Sequence, residues 1–599
     1  MCALVCKIKK NVRPISGFIL CLPISVVFST IEKHSFAAAN TPSTALPEVY
    51  QRPETKNLNK FDNRDLPPPN IQGFKPIQQK DEGLKIIAKT LIILAPDELQ
   101  NKISFLKYQE QVIGVPKTIN DFYNVAAKIT SEFNKNGFPL VRVIVPKQEL
   151  DPESATVFLK VIDGFIEKVD LRKVPVMQTL RTYSYLKPLI KKKALTKDFL
   201  ERKLILAGNT VGLTLKSGLM QGKKEGGAVL VIEANHKILS GSMQFNNSQS
   251  KELGTQLGQT SLTLNSPAGF GESITLFGLS RPTWKGMKGT GDDVRIRGGG
   301  FTISVPVSNN GLSTSVAYTE SMTRPGVDLQ ALGIEANMKS ASLMMSYPIS
   351  LKEDKVWTVR GTINWADEIQ QTNLSGVDED LTHDRLTSLR VGTNYSGCKT
   401  GCLTFDAEIS RGLEIASRSA SDSAGGTPLS RTSGTSTYTH MKVDSSYLFN
   451  LYENIQTKIN AGGQYTDDGL LNSEQTSIIA EDRVSSLTSG AISGDKAWYI
   501  RGEIAHHNQL SKGLSFSPYV YSAMGVAYLN KATEAENKQT TAKSVGIGLN
   551  FNGNDEYFFE KNISAKVEYS KTWGTGRIED LSDVRLNKQQ MLVTMAMTF

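Results

Sequence analysis

Few residues in this sequence combine the types and the spacing that catalysis or metal binding needs. His506 and His507 are adjacent, but neighbouring side chains on a strand point to opposite faces, and no third His, Cys or patterned carboxylate stands beside them. The acidic stretches 291–293 and 378–380 lack the regular alternation of oxygen ligands that a calcium loop requires. No Gly-x-Ser-x-Gly elbow and no phosphate-binding Gly-Lys-Ser or Gly-Lys-Thr occurs. The sequence therefore predicts a protein that is not an enzyme and uses no metal or cofactor.

Residues 1–39 have the three parts of a secretory signal. Basic residues from Lys7 to Arg13 precede an apolar run from Ile15 to Thr30, and three alanines at 37–39 follow. A membrane anchor is the alternative, but Pro23 interrupts the run, which is shorter than the roughly 20 residues of a spanning helix. We predict cleavage after Ala39.

The charge balance gives no reason to expect a nucleic-acid partner. The whole chain has a formal charge of +9, and the predicted signal removes five basic residues and one acid. The mature chain is therefore only mildly basic, and it has no basic run interleaved with aromatic residues.

Two cysteines remain after the signal, Cys398 and Cys402, separated by Lys-Thr-Gly. This spacing across a glycine-containing turn suits a small disulfide-closed hairpin in an oxidising compartment. A metal site is disfavoured because two further ligands are missing nearby.

The mature chain divides into a linker and two small α+β modules. Residues 40–83 are rich in proline and poor in apolar residues, which predicts an extended linker; the residues near Leu46 are also a candidate plug. In 84–163 the periodicity predicts a strand, a helical stretch from Pro96 to Tyr108, a helix from Thr118 to Asn136 and two strands. The same order of elements recurs in 164–236.

Residues 237–599 show no helical period, and short alternating segments separated by Gly, Ser, Asn and Asp recur to the end. The last segment, Met591 to Phe599, places four apolar side chains and the terminal Phe599 on one face and small or polar side chains on the other. This alternation is typical of a transmembrane antiparallel β-barrel, and the length suits sixteen strands at about 23 residues per strand with its connection. A terminal aromatic residue resembles the C-terminal signal of bacterial outer-membrane barrels.

Several segments resemble one family. Gly137-Phe138, Val141 to Leu150 and Leu159 to Glu167 resemble the first POTRA module of two-partner secretion transporters, and Leu200 to Leu206 resembles the second. Leu470 to Gln475, followed by Ser493-Gly494-Asp495 and Pro518 to Gly525, resembles the barrel of the same family. In order, these segments cover nearly the whole mature chain.

The resemblance implies a sixteen-strand outer-membrane pore that exports a large β-helical exoprotein, with periplasmic POTRA modules that capture the unfolded cargo. It also implies cargo-binding positions in those modules, which fall on Pro146, Gln148, Gly164 and Arg202. The further partners are outer-membrane lipid and the barrel assembly machinery. Alternative interpretations are a passive porin or surface receptor, or an assembly factor for other outer-membrane proteins.

The chain departs from the family in the loop that folds back into the pore. There the family carries Val-Arg-Gly-Tyr, whose Arg pairs with an Asp of the barrel wall; the corresponding positions here are Val484-Ser485-Ser486-Leu487. The wall position falls on Ala523, two residues before Gly525. We interpret Arg501, which follows the Gly-Asp pair, as a strand residue. The sequence therefore predicts a barrel whose loop is anchored differently.

Overall fold

The computed structural model describes residues 85–599 except 152, 284–294, 374–375, 420–421, 423–425, 486, 512, 534–535, 556–560 and 576–588. The predicted signal, the linker and Leu46 lie outside the described residues. No helix in the described part of the chain is both long and apolar enough to span a membrane.

The first module is a four-stranded sheet covered by one long helix. Its elements are β1 (Lys85–Leu94), α1 (Asp97–Gln100), α2 (Leu106–Gln109), β2 (Pro116–Thr118), α3 (Ile119–Lys135), β3 (Arg142–Ile144) and β4 (Ala155–Ile162). The strand order is β2-β1-β4-β3, with β1 and β4 parallel. The helical stretch predicted from Pro96 to Tyr108 is wrong in detail, because two one-turn helices replace it and Ile103 and Phe105 between them pack against the core.

Helix α3 is fixed at its start and along one face. The Thr118 hydroxyl accepts a hydrogen bond from the Asp121 backbone, and the Asp121 carboxylate accepts one from the Thr118 backbone at 2.8 Å. This reciprocal contact with the Thr118 N–H lowers the pKa of Asp121. Phe122, Ile129 and Phe133 are buried against the sheet, and each such side chain contributes about 1.5–3 kcal/mol through burial.

The second module repeats the plan with a three-stranded sheet. Its elements are β5 (Phe165–Lys173), α4 (Val176–Leu186), a 3-10 turn (Lys187–Leu189), α5 (Lys197–Gly208), β6 (Leu213–Gln221) and β7 (Gly227–His236). The strand order is β5-β7-β6, with β5 and β7 parallel. The order of elements agrees with the periodicity of the sequence.

The remaining chain forms a closed antiparallel barrel. Its strands are β8 (Leu239–Asn246), β9 (Leu257–Asn265), β10 (Ser273–Ser280), β11 (Ile296–Pro306), β12 (Ser313–Thr323), β13 (Glu335–Leu351), β14 (Lys355–Thr372), β15 (Glu379–Cys398), β16 (Cys402–Leu413), β17 (Thr439–Tyr452), β18 (Ile455–Tyr465), β21 (Lys496–His506) continued by β22 (Asn508–Ser511), β23 (Leu514–Tyr528), β24 (Gln539–Asp555), β25 (Lys561–Thr575) and β26 (Gln589–Thr598). Two further short strands, β19 (Thr476–Ser477) and β20 (Ser493–Gly494), form a separate hairpin.

The barrel has sixteen strands in the described part of the chain, because β21 and β22 both pair with β23 and count as one. This confirms the predicted architecture. Alternation along β23 shows how the wall works: Tyr519, Tyr521 and Ala523 are buried towards the lumen, while Val520 between them is 53% exposed on the outside. An outward face with exposed apolar residues such as Val520 suits contact with lipid.

The barrel closes where the last strand meets the first. Strand β26 pairs with β8 over Thr594–Thr598, and Phe599 exchanges two backbone hydrogen bonds with Gly241 at 2.9 and 3.0 Å. Met591 and Met595 lie on the outer face as predicted, with exposures of 56% and 51%. Phe599 therefore completes the seam.

The barrel has two distinct ends. The end next to the modules, here called the module end, carries the short turns, including the β15–β16 turn in which Cys398 and Cys402 form a disulfide. The opposite, far end carries the longer connections, including 414–438 and 466–495.

Candidate functional site

The connection 466–495 between β18 and β21, here called the lumen loop, folds back inside the barrel. Its apolar residues pack with lumen-facing side chains of β23 and β24 in one buried cluster, so the loop lies against the inner wall. The loop members of that cluster are Ile478, Ile479, Val484, Leu487 and Ile492. Hairpin β19–β20 closes the base of the loop.

Ser485, near the tip of the lumen loop, makes several polar contacts with the wall. Its hydroxyl accepts a hydrogen bond from Nη1 of Arg501 at 2.9 Å, lies 2.5 Å from the Tyr521 hydroxyl, and donates to the Glu568 carboxylate. Its backbone carbonyl accepts a hydrogen bond from Thr572 at 2.8 Å. One small side chain thus joins three wall strands.

Arg501 and Glu568 form a buried ion pair behind Ser485. Nη2 of Arg501 lies 2.7 Å from Oε2 of Glu568, and both side chains are fully buried. Tyr519 donates to the same carboxylate at 2.7 Å, and the Arg501 guanidinium stacks 3.6 Å from the centre of the Tyr521 ring. These added contacts offset the desolvation that an isolated buried pair suffers.

The predicted motif positions lie at this contact. Val484 and Leu487 are buried in the loop cluster, and Ser486 lies outside the described residues. Ala523 stands directly opposite Arg501 in the β21–β23 register. A methyl group on Gly525 would approach Cβ of Ile478 to 3.0 Å, so this position lets the loop lie close to the wall.

The structure supplies the loop anchor from residues that the sequence reasoning did not select. Arg501 is a strand residue, as interpreted, but its guanidinium reaches the loop from the wall. Alternation carried a signal for this: Trp498, Ile500 and Ile504 face outward, which turns Arg501 inward. The positive charge at the Ser485 contact therefore comes from the wall, while the loop's own Arg483 stacks on Tyr499 at 4.6 Å and lies 3.7 Å from Asp444 of the wall.

Two more buried ion pairs fix the loop near the far end. Both carboxylate oxygens of Asp495 accept hydrogen bonds from Nη1 of Arg431, at 2.9 and 2.8 Å. Nη2 of Arg431 also donates to the Asn530 carbonyl at 2.8 Å. Glu474 contacts Nη2 of Arg390 at 2.7 Å and His440 at 3.2 Å. These contacts tie the lumen loop to two other far-end connections and to the wall.

A polar cavity of about 510 Å³ lies inside the barrel on the module side of the loop tip. Glu481, Glu503 and Lys566 line it, together with neutral polar side chains such as Ser517 and Thr594. Lys566 lies 3.3 Å from Glu481 of the loop. The interior is thus polar and partly open below the loop.

The predicted cargo-binding residues of the first module have structural partners. The Gln148 side chain accepts from the Phe158 backbone N–H at 2.8 Å and donates to its carbonyl at 3.0 Å, so it continues the pairing of β3 along the edge of β4. The Pro146 carbonyl accepts a hydrogen bond from the Gln148 side chain at 3.3 Å. A methyl group on Gly164 would lie 2.1 Å from the Leu140 carbonyl oxygen, so the backbone at the module junction needs glycine.

Arg202 lies at the contact between the second module and the barrel. Its guanidinium donates to the carbonyls of Asn310, Pro348 and Ile349, in or beside two module-end turns, at 2.9, 2.7 and 3.3 Å. Lys203 beside it donates to the Asn309 carbonyl at 2.8 Å, and burial lowers the pKa of Lys203. The structure therefore gives Arg202 a docking role; its predicted role in binding cargo remains a prediction.

Residues 226–551 match the family model described as haemolysin secretion/activation protein ShlB/FhaC/HecB. The chain is 21% identical over 467 residues to the heme/hemopexin transporter protein HuxB of Haemophilus influenzae (strain 86-028NP), covering 76% of this chain and 79% of HuxB. CdiB from Escherichia coli has a similar fold, with a TM-score of 0.64, 16% identity, and coverage of 88% of this chain and 93% of that one. CdiB from Acinetobacter baumannii has a TM-score of 0.58 at the same identity and coverage. The chain belongs to the haemolysin secretion/activation family ShlB/FhaC/HecB, the outer-membrane transporters of two-partner secretion.

Proposed function

We propose that this transporter captures an unfolded exoprotein with its periplasmic modules and passes it through the lumen while the lumen loop is displaced. The observation that carries the proposal is that noncovalent contacts alone, centred on Ser485, Arg501 and Glu568, hold the described part of the loop in the barrel. Such contacts can break and re-form while the strand pairing of the barrel wall stays intact.

The modules suit an extended polypeptide. Strand β6 forms one edge of the second sheet, with β7 as its partner among the described strands, so it can accept an added strand from a cargo chain. In the first module Gln148 covers part of the β4 edge instead. Strand addition reads little sequence, which suits transport of a long unfolded chain.

The orientation follows from the same proposal. The modules and the module end, with the Cys398–Cys402 disulfide, face the periplasm, and the far end faces the outside of the cell. No nucleotide is available in the periplasm, so we propose that folding of the cargo outside the cell drives export. Export of a cargo whose folding is blocked would contradict that part of the proposal.

Co-expression tests the transporter proposal. The full chain and a candidate exoprotein are expressed together in an outer-membrane host, and the medium is assayed for the exoprotein. A matched variant lacks residues 85–236 but keeps the barrel. We expect the exoprotein in the medium only when the full chain is co-expressed, and not with the variant that lacks the modules. A correctly inserted full-length protein that secretes no candidate exoprotein would favour a passive porin.

A further inference from the structure

Helix α4 of the second module carries an apolar stripe on its outer face. Val176, Leu180 and Tyr183 recur at helical spacing of four and three residues, and are 89%, 79% and 38% exposed; Met177 beside them is 56% exposed. The opposite face holds the buried Tyr185 and Leu186. The stripe is therefore not part of the core of its own module.

The position of α4 is fixed close to the end of the barrel wall. Arg181 donates to the carbonyls of Pro306, the last residue of β11, and Ser308, at 3.3 and 3.2 Å. Gln178 donates to the carbonyl of Ser266, beside β9, at 3.1 Å. The helix thus lies within one side-chain length of the strand ends.

Exposed apolar residues connect the stripe with the outer wall of the barrel. Phe270 and Val307, in the two turns that α4 contacts, are 66% and 55% exposed. On the strands beyond them Leu276 and Ile303 face outward, at 58% and 39% exposure. Ile303 lies three residues from the end of β11, which is about 10 Å along a strand. The apolar outer wall therefore begins within about 10 Å of the turns that α4 contacts.

Basic residues adjoin the same face. Lys187 follows Tyr183 by four residues and so extends the stripe, and Lys191 is exposed shortly after it. An apolar stripe with an aromatic residue and flanking lysines is typical of a helix that lies in the plane of a membrane surface.

We infer that helix α4 is a lipid-binding element that rests on the inner surface of the bilayer and holds the second module beside the barrel. The apolar stripe enters the headgroup region, and Lys187 and Lys191 meet anionic lipid phosphates. The site concerns lipid and does not depend on which cargo the transporter carries.

Depth-dependent quenching tests the inference on the full chain. Leu180→Cys is labelled with an environment-sensitive fluorophore after reconstitution into bilayers that contain spin-labelled lipids. The two cysteines after the predicted signal are joined in a disulfide, so the label reports on the introduced thiol. Leu276→Cys on the outer wall is the positive control, and Leu106→Cys, 68% exposed in the first module, is the negative control.

We expect quenching of the Leu180 label close to that at Leu276 and several-fold above that at Leu106. Quenching should be stronger in phosphatidylglycerol than in phosphatidylcholine bilayers, and Lys187→Gln should reduce that difference. A Leu180 label quenched no more than the Leu106 label overturns the inference. Shielding that arises only when an exoprotein secretion domain is added would assign the stripe to cargo instead.

Discussion

Ser485 and Arg501 meet where the resemblance implies a contact between a loop arginine and an acid of the wall. The resemblance implies an Arg in the loop and an acid in the wall, whereas at this contact the wall supplies both charges and the loop supplies a hydroxyl. The loop's Arg483 lies elsewhere, 3.7 Å from Asp444 of the wall. Ala523, at the position of the wall acid, stands opposite Arg501, so the substituted wall residue and the new cation are direct neighbours. Glu568 gives the buried guanidinium of Arg501 a partner, and without a partner a buried charge would be strongly destabilising.

The first prediction concerns the buried ion pair. Arg501→Ala leaves the buried Glu568 with only the more distant Lys566, at 3.6 Å, as a cation, and breaking a buried ion pair costs about 3–5 kcal/mol. We expect the lumen loop to loosen and single-channel conductance in planar bilayers to rise. The matched double variant, Arg501→Met with Glu568→Gln, removes both charges of this pair. Its conductance should lie closer to that of the unaltered protein. A double variant as conductive as Arg501→Ala would refute the coupling.

Sequence reasoning located the loop tip but not its anchor. Counting between the flanking motifs selected Val484 and Ser485, and both lie in the part of the loop that contacts the inner wall. Arg501 and Glu568 are 67 residues apart in the chain, on β21 and β25. Alternation predicts that each faces the lumen, but it does not predict which lumen residues meet across the barrel.

Among the elements, the junction between the two modules depends on a close backbone approach. Gly164→Ala would force a methyl group against the Leu140 carbonyl, and we expect a loss of about 1–3 kcal/mol in stability of the module pair. Hydrogen exchange of β4 and β5 in the full chain measures this loss. Gly218→Ala on β6, where a methyl group meets nothing within 4 Å, is the control. Equal exchange in the two variants would show that the junction tolerates the shift.

Helix α5 joins the second module to the barrel turns through Arg202. Arg202→Ala removes three donated hydrogen bonds to backbone carbonyls. We expect faster proteolysis of the second module and lower secretion, with an intact barrel. Arg202→Lys keeps the charge but lacks the planar guanidinium. Its rate of proteolysis should therefore fall between those of the unaltered protein and Arg202→Ala. If proteolysis is unchanged while cargo binding falls, Arg202 acts on cargo and not in docking.

For the whole molecule, the periodicity predicted the barrel because lipid on one side and a polar lumen on the other impose alternation on every strand. The same rule predicted the two modules less sharply. The stretch Pro96 to Tyr108 has the composition of a helix, yet core contacts of Ile103 and Phe105 divide it. Tertiary packing of this kind is not readable from local composition.

Closure of the barrel gives a prediction at the C-terminus. Deleting Phe599 removes both backbone hydrogen bonds to Gly241 and the ring that covers this glycine. We expect less inserted protein and a lower temperature for the loss of the heat-modifiable form on gels. Phe599→Tyr keeps the ring and the backbone and is the control. Normal insertion of the deletion variant would show that the seam does not need the last residue.

The most direct test of the account locks the lumen loop to the wall. The cysteines of the double variant Ile478→Cys with Gly525→Cys lie close enough to form a disulfide. The two Cβ positions are 3.0 Å apart, and a movement of about 0.5–0.8 Å gives the usual spacing. Secretion of the exoprotein is measured with and without reductant, beside the single variants and the unaltered protein. The account predicts that secretion stops when the cross-link forms and returns on reduction. Undiminished secretion through a fully cross-linked barrel would contradict it.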